Sequence, residues 1–325
     1  MTPRMPSPRT QSEPGLPSRV TVFEVGPRDG LQAESDIVPT AVKAELCERL
    51  YAAGTRDLEV TSFVPPTWIP QLADAAELVA ELDVPPGARA VALVPNMQGL
   101  QRAIDAGVRE VSVVVSASES FAKANLNTTM AGALDRAVEV ILAATAAGIP
   151  VRGYVSMAFG DPWEGAVDPA VVTSAAAQLH AAGARTIALG DTIGVGTPGL
   201  TVRLVSETLS AGVPVTALAL HLHDTYGQSL ANVHAALRLG VAEFDAAIGG
   251  LGRCPYAAGA TGNLATEDLV WMLHGLGIET GLDLTALAAT TRWLSRIRGV
   301  PAPSNVARAL AAADMSRRAQ EAESA

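Results

Sequence analysis

Residues 215–224 read VTALALHLHD, an apolar stretch that runs into two histidines separated by one residue. Because successive side chains of a strand point to opposite faces, His221 and His223 share a face at the end of a predicted strand. Two neutral imidazoles held side by side are typical of a metal site, whereas a single histidine would more often be a hydrogen-bonded core residue. The pair therefore predicts a metal site, with oxygen ligands supplied by other strands.

A short signal for the end of a helix recurs along the chain and divides it into similar units. An Ala-Gly or Leu-Gly pair stands at residues 53–54, 106–107, 147–148, 182–183, 211–212 and 239–240, each shortly before an apolar run. Glycine adopts the left-handed conformation that ends a helix. Each pair therefore predicts a helix followed by a strand.

Eight strands are predicted from this pattern, at residues 20–25, 57–61, 90–94, 110–115, 151–156, 186–189, 216–221 and 243–248. Helical patterns lie between them, for example at 40–53, 130–147, 169–182, 198–210 and 229–239. Strands that alternate with helices without a break in composition favour an α/β fold of the closed parallel kind, a (β/α)8 TIM barrel. The alternative is a doubly wound open sheet, but no G-x-G-x-x-G nucleotide fingerprint follows the first strand.

The chain divides into three parts on sequence grounds. Residues 1–18 are rich in proline, serine and arginine and are predicted to be a disordered tail. Residues 19–280 form the predicted catalytic barrel. Residues 281–325 are predicted to be C-terminal helices packed on the barrel with a frayed end, and helical patterns occur at 266–275, 284–298 and 304–313.

Composition narrows the partners and the compartment. The 325-residue chain is 49% hydrophobic and carries a net charge of -10, which argues against nucleic acid or an acidic membrane as a partner. No run of strongly apolar residues approaches the roughly 18 that would span a membrane. The two cysteines, Cys47 and Cys254, offer no disulfide framework. We expect a cytoplasmic protein, with Cys47 filling the core.

Reactive side chains recur where the predicted strands end: Arg28 and Asp29 after the first, Glu59 in the second, Asp191 after the sixth, and Cys254 and Asn263 after the eighth. Taken singly, each has an ordinary structural explanation. Arg28 and Asp29 would suit a surface ion pair, Asp191 would suit the cap of a turn, and the other side chains would suit capping or packing. The active face of a TIM barrel lies at the carboxyl ends of its strands, so their joint occurrence there indicates an active site.

Six segments, in the same order, closely resemble the 3-hydroxy-3-methylglutaryl-CoA lyase family: 25–32, 61–64, 151–156, 189–194, 221–228 and 254–257. The resemblance covers roughly residues 19 to 300. This family belongs to a wider group of TIM-barrel metal-dependent lyases and Claisen-type synthases, and the loop that carries Cys254 is particular to the lyase branch.

The resemblance implies cleavage of the CoA thioester to acetyl-CoA and acetoacetate. It implies a divalent cation, Mg2+ or Mn2+, held by Asp29, His221, His223 and Asn263. An acyl-CoA substrate and a homodimer are expected on the same ground.

The resemblance also assigns roles around that cation. Arg28 would stabilise the enolate, and Cys254 would protonate the departing carbanion. Glu59 and Asp191 would orient Arg28 or the substrate hydroxyl, and the choice between them as acceptor of the hydroxyl proton stays open. The substrate-binding residues implied are Gln32, Ser62, Tyr154 and Thr192.

Three stretches depart from the family pattern. Arg253 replaces a glycine before the cysteine, Ala33-Glu34-Ser35-Asp36 lacks a lysine used near the CoA phosphates, and residues 157–164 differ in their side chains. A related 3-hydroxy-3-alkylglutaryl-CoA or citramalyl-CoA is therefore a second candidate substrate. A Claisen-type synthase and a noncatalytic metal-binding barrel are competing functions for the same fold.

Overall fold

Eight parallel strands close into a barrel in the order β1 to β8, with β1 paired to β8. The computed structural model describes residues 6–252 and 262–323, with side chains through 317. The strands are β1 (Thr21–Glu24), β2 (Asp57–Ser62), β3 (Arg89–Leu93), β4 (Glu110–Ser116), β5 (Val151–Ser156), β6 (Thr186–Asp191), β7 (Leu218–Leu222) and β8 (Glu243–Ala246). The predicted TIM barrel is confirmed.

Helices surround the barrel and continue beyond its last strand. They are α1 (Thr40–Ala52), α2 (Ala75–Glu81), α3 (Met97–Asp105), α4 (Glu119–Leu126), α5 (Met130–Ala146), α6 (Pro169–Ala181), α7 (Pro198–Ser210), α8 (Ser229–Leu237), α9 (Thr266–Gly275), α10 (Leu284–Arg298) and α11 (Asn305–Glu323). The last three are the extra C-terminal helices. The helix predicted at 304–313 is longer than expected and runs through Glu323, since residues 314–323 contain neither glycine nor proline to end it.

The glycines at the predicted helix stops all have positive φ. Gly54 is the most constrained of them by its surroundings, because a Cβ atom there would overlap the carbonyl oxygen of Gly281. The backbone of the α1–β2 turn therefore lies directly against the segment that leads into α10.

Two strands begin later than predicted, β1 by one residue and β7 by two. Val215–Ala217 forms a 3-10 turn, so β7 starts at Leu218 and the predicted start at residue 216 is wrong. The reason is local, since Pro214 precedes the turn and Ala217 N–H bonds back to its carbonyl. The strand ends at Leu222, so His221 lies within β7, and His223 follows its end as the bridge partner of Asn263.

The described part of the N-terminal segment lies against the barrel wall. Gln11 N–H donates to the carbonyl of Gly275 at 2.8 Å. Glu13 lies 2.9 Å from Nε2 of His234 and also pairs with Arg238 on the α8 side. The division into tail, barrel and C-terminal helices stays a prediction, while these contacts show where the segment runs.

Two further observations bear on composition. Cys47 is buried, as expected for a core residue. Within 6–252 and 262–323, no helix is both long enough and apolar enough to cross a bilayer.

Candidate active site

A cavity of about 850 Å³ opens at the carboxyl-terminal end of the barrel. Its inner wall is formed by the π-helical turn after β1 (Gly26–Gly30) and by the ends of β5, β6 and β7. It extends outward past Trp68 to Lys123 and Arg136. The predicted site residues that line it are Arg28, Asp29, Gln32, Tyr154, Thr192, His221 and His223.

Asp29, His221 and His223 form a cluster at the inner end of this cavity. One carboxylate oxygen and one nitrogen of each imidazole all lie within 4.8 Å of one another. Asn263 joins the cluster through Nδ2, which donates to Oδ2 of Asp29 at 2.8 Å and to the carbonyl of Leu251 at 2.9 Å. With Nδ2 engaged in this way, the amide oxygen of Asn263 is left for another partner.

Unpartnered buried atoms test whether this cluster suits a cation. Among the described residues, neither Nδ1 of His223 nor Oδ1 of Asn263 has a hydrogen-bond partner, although both atoms are buried. Buried polar atoms normally have partners, so such atoms call for a ligand to complete them. Together with the Asp29 carboxylate, they make a mixed nitrogen and oxygen donor set that suits a hard divalent cation.

The charges of the cluster follow from its surroundings. Burial raises the pKa of Asp29, but the Arg28 guanidinium and then the two imidazoles outweigh it and hold that pKa well below its usual range. Burial, followed by the neighbouring His221, lowers the pKa of His223 to about 4. The cluster therefore presents a carboxylate and a neutral imidazole at neutral pH, as metal ligation requires.

Arg28 is a buried, fixed cation beside the cluster. Its side chain is only 8% exposed, which rules out the surface ion pair considered from sequence. Nε donates to Oε2 of Glu59 at 2.5 Å and Nη1 donates to Oδ1 of Asp29 at 2.7 Å. Two carboxylates thus hold the guanidinium from two sides, and a longer bond of 3.4 Å reaches Gln32.

Glu59 lies behind Arg28 and is fully buried. Its second oxygen accepts a hydrogen bond from the Ser112 hydroxyl on β4. Burial raises the pKa of Glu59, and Arg28 and Ser112 oppose that effect. Both oxygens are engaged, so the geometry suits Glu59 to hold Arg28 in place.

Asp191 takes part in a different structure. Its carboxylate accepts the backbone N–H groups of Val195 and Gly196, each at 2.9 Å. Burial raises the pKa of Asp191 to about 6, and these amides lower it in part. This is the turn-capping role that the sequence left open, and the catalytic role of Asp191 stays a prediction.

Of the four predicted substrate-binding residues, three line the cavity and one does not; the three are Gln32, Tyr154 and Thr192. The Thr192 side chain faces the cavity and accepts a hydrogen bond from Met157 N–H at 3.0 Å. Tyr154 packs edge-on against His221, and in the described chain its buried hydroxyl has no partner. Ser62, the last residue of β2, is buried and is not among the residues lining the cavity.

Cys254 and Arg253 lie outside the described residues. The role of Cys254 as the acid and the effect of Arg253 on its loop therefore stay predictions.

Three residues that were not predicted from the sequence support the site from inside the barrel: Ser112, Arg152 and Asp245. Asp245 contacts His221, and Arg152 holds Asp245. For Arg152 and Asp245 the available signal was a charged residue at an inward position of an otherwise apolar strand, since such a residue needs a buried partner. Ser112 is uncharged and carries no such signal.

A closed (β/α)8 barrel with this cluster at its carboxyl-terminal mouth defines the class: a TIM-barrel protein with a candidate divalent-metal site. The chain belongs to the HMGL-like family, whose model matches residues 19–294. The resemblance seen in the sequence is therefore confirmed.

Curated relatives and solved structures agree with this assignment. Mitochondrial hydroxymethylglutaryl-CoA lyase of Bos taurus is 49% identical over 300 residues, which is 92% of each chain. Cytoplasmic 3-hydroxy-3-methylglutaryl-CoA lyase of Mus musculus is 48% identical and covers 91% of this chain and 86% of its own length.

Among structures, hydroxymethylglutaryl-CoA lyase from Pseudomonas aeruginosa superposes with a TM-score of 0.89 at 46% identity, covering 92% of this chain and 99% of that one. An HMG-CoA lyase from Acinetobacter baumannii in complex with coenzyme A and 3-methylmalate has a TM-score of 0.86 at 38% identity, covering 90% and 95%.

Proposed function

We propose that this chain cleaves 3-hydroxy-3-methylglutaryl-CoA to acetyl-CoA and acetoacetate. The observation that carries the proposal is the meeting of Arg28, Asp29, His221 and His223 around one cavity. Relatives that are 48% to 49% identical over nine-tenths of this chain bear the name of that lyase. The reaction breaks the carbon–carbon bond beside a tertiary alcohol, so negative charge must be stabilised on oxygen at both fragments.

The ligands we assign to a divalent cation are Asp29, His221, His223 and Asn263. The anionic Asp29, the neutral His223 and the unpartnered amide oxygen of Asn263 support the assignment. When bound, Mg2+ or Mn2+ would supply positive charge beside the substrate oxygens.

Arg28 is assigned to the enolate. Nε and Nη1 are held by Glu59 and Asp29, and among the described residues Nη2 has no protein acceptor. A fixed guanidinium in a buried site stabilises charge that develops on the thioester oxygen without reorganising during the reaction. Glu59 has both oxygens engaged, so we assign it to positioning Arg28 and leave proton transfer to other groups. Protonation of the departing carbanion is assigned to Cys254 by family resemblance.

The outer part of the cavity is suited to the CoA portion of the substrate. Among the described residues, Lys123 and Arg136 are the lysine and arginine side chains that line it beyond Arg28, and both are exposed to solvent, Lys123 with a loose pairing to Glu119 at 3.8 Å. Phosphate groups are bound by such cations, and the acidic chain offers few others in this region. Glu34, in the stretch that lacks the family lysine, is paired with Arg298 at 2.5 Å, which offsets its repulsion of phosphate. We therefore place the phosphates near Lys123 and Arg136.

The remaining assignments rest on the relatives alone. We expect a homodimer in the cytoplasm, although the relatives include proteins named as mitochondrial as well as cytoplasmic. Sedimentation of the purified protein tests the dimer.

The decisive experiment measures acetyl-CoA and acetoacetate released from 3-hydroxy-3-methylglutaryl-CoA with Mg2+, with Mn2+ and with chelator. We expect acetyl-CoA and acetoacetate in equal amounts, and only when a metal is present. We expect little release of acetyl-CoA from citramalyl-CoA. Arg28→Gln should lower kcat by about a thousandfold, the scale for losing one charge-stabilising group. Arg89→Gln is the matched control, because Arg89 also pairs with two carboxylates but at the amino-terminal ends of the strands. Cleavage that persists unchanged in Arg28→Gln, or a preference for citramalyl-CoA, would contradict the proposal.

A further inference from the structure

Asp245 on β8 has no part in the reaction described above, yet it lies against a candidate metal ligand. The β7–β8 pairing sets Asp245 directly beside His221 on the neighbouring strand. Oδ2 of Asp245 lies 3.0 Å from Nδ1 of His221, and the carboxylate side chain is 1% exposed. The contact is therefore fixed by sheet register and shielded from water.

The other oxygen of Asp245 is held from across the barrel. Nη2 of Arg152, on β5, donates to Oδ1 of Asp245 at 2.5 Å, while Nη1 donates to Glu243. The guanidinium carbon lies 4.2 Å from the centroid of the Phe23 ring on β1. Arg152 is 2% exposed, so its contact with Asp245 is shielded from solvent inside the barrel.

The contact leaves one imidazole nitrogen of His221 for the cluster. With Nδ1 engaged by Asp245, Nε2 is the atom that remains for a ligand. Histidines that bind metals commonly donate their other ring N–H to a carboxylate, which fixes both the tautomer and the orientation of the ring. Losing such a partner typically weakens metal binding by about 10- to 100-fold.

We propose that Asp245, held by Arg152, is a positioning residue that fixes His221 with Nε2 facing Asp29 and His223, and that it thereby raises the affinity of this site for a divalent cation. The inference rests on the metal-binding part of the proposed function and is independent of the substrate.

Replacing Asp245 by asparagine removes the negative charge and one acceptor oxygen but keeps the size and shape of the side chain. Asp245 accepts hydrogen bonds on both oxygens, from His221 and from Arg152. An asparagine has one acceptor oxygen, so its amide N–H2 group would face a donor on one side or the other. Asp245→Asn should therefore loosen His221 without leaving a cavity.

The test measures Mn2+ affinity of the full-length protein by the electron paramagnetic resonance signal of free Mn2+, without acyl-CoA. We expect Asp245→Asn to bind Mn2+ about 10- to 100-fold more weakly than wild type. Asp57→Asn is the matched control, because Asp57 is likewise held by an arginine with a second carboxylate, at 2.5 Å from Nε of Arg89. Its affinity should stay within about twofold of wild type, since it lies at the far end of the strands.

The outcomes separate this inference from the lyase assignment. Equal Mn2+ affinity in Asp245→Asn and Asp57→Asn would overturn the inference, as would a wild-type protein that binds no Mn2+. If Asp245→Asn does not fold by circular dichroism, Asp245→Glu keeps the charge but shifts it by one methylene, and it should weaken Mn2+ binding for the same reason. Weaker binding in these variants, in a protein that fails to cleave the substrate, would support the inference and refute the lyase assignment.

Discussion

Replacing Glu24 by glutamine should stabilise the protein at alkaline pH and have little effect in acid. Glu24 is fully buried at the end of β1, under the turn that carries Arg28. Oε1 accepts the N–H groups of Gly26 at 2.7 Å and Ile248 at 2.8 Å, and Oε2 accepts the Thr266 hydroxyl at 2.6 Å. Glutamine can keep both backbone bonds through its oxygen and donate its amide N–H to the hydroxyl.

The size of the effect follows from the pKa of Glu24. Burial raises that pKa from 4.5 to about 7, against the three hydrogen bonds that lower it. The folded protein therefore retains a proton that the unfolded chain releases. The stability from this proton is fully present below pH 4.5 and is lost as the pH rises through about 7. A pKa difference of one between the folded and unfolded states corresponds to about 1.36 kcal/mol, so the rise from 4.5 to about 7 corresponds to a loss of roughly 3 kcal/mol.

The assay is urea and thermal unfolding of wild type and Glu24→Gln between about pH 5 and pH 8.5. The free energy of unfolding of the variant, relative to wild type, should rise by about 2 to 3 kcal/mol across this range. For a chain of this size that corresponds to about 4 °C in Tm. Burial, the largest cause, also raises the pKa of Glu267 to about 7, and the charge of Glu24 is the last of the causes that act on it. Glu267 titrates in both proteins, so the comparison cancels the part of its effect that comes from burial.

The control is Glu48→Gln, which changes an exposed carboxylate on α1. If the difference in unfolding free energy between Glu24→Gln and wild type stays constant across the pH range, the reasoning is refuted. Glu24 would then have the same pKa in the folded and unfolded states.

Three other changes test separate parts of the structure. Arg28→Lys should lower kcat about 100-fold or more without unfolding the protein, because lysine cannot bond Glu59 and Asp29 in the same fork; steady-state kinetics measure it. Gly54→Ala should cost about 2 kcal/mol or more of folding free energy, since φ is +99° and the new Cβ would meet a carbonyl; thermal melting that matches wild type would contradict this. Ser112→Ala should lower stability by about 1 to 3 kcal/mol by leaving a buried Glu59 oxygen unpaired, measurable by urea unfolding.

Local signals made the barrel predictable. The helix-ending glycines and the apolar runs after them each act within a few residues, and eight strands in series leave few topologies. The grouping of Arg28, Asp29, His221 and His223 was predictable for a geometric reason, because parallel strands deliver their carboxyl ends to one rim.

What lies below the rim was harder to predict. Ser112, Arg152 and Asp245 matter because of the partners they face across or along the barrel, and those partners depend on register and on which face of each strand turns inward. The start of β7 was mispredicted for a local reason. Residues 215–217 are apolar and suit a strand, but they form a turn after Pro214.

The bond between Asp29 and Asn263 has a consequence for the order in which the site comes into being. Asp29 follows the first strand and Asn263 follows the last, and 234 residues separate them. A growing chain therefore carries Asp29 through most of its synthesis before its partner exists. The Asp29–Asn263 contact therefore cannot form early during synthesis, and a cation that needs the four proposed ligands would be captured only after the barrel has closed.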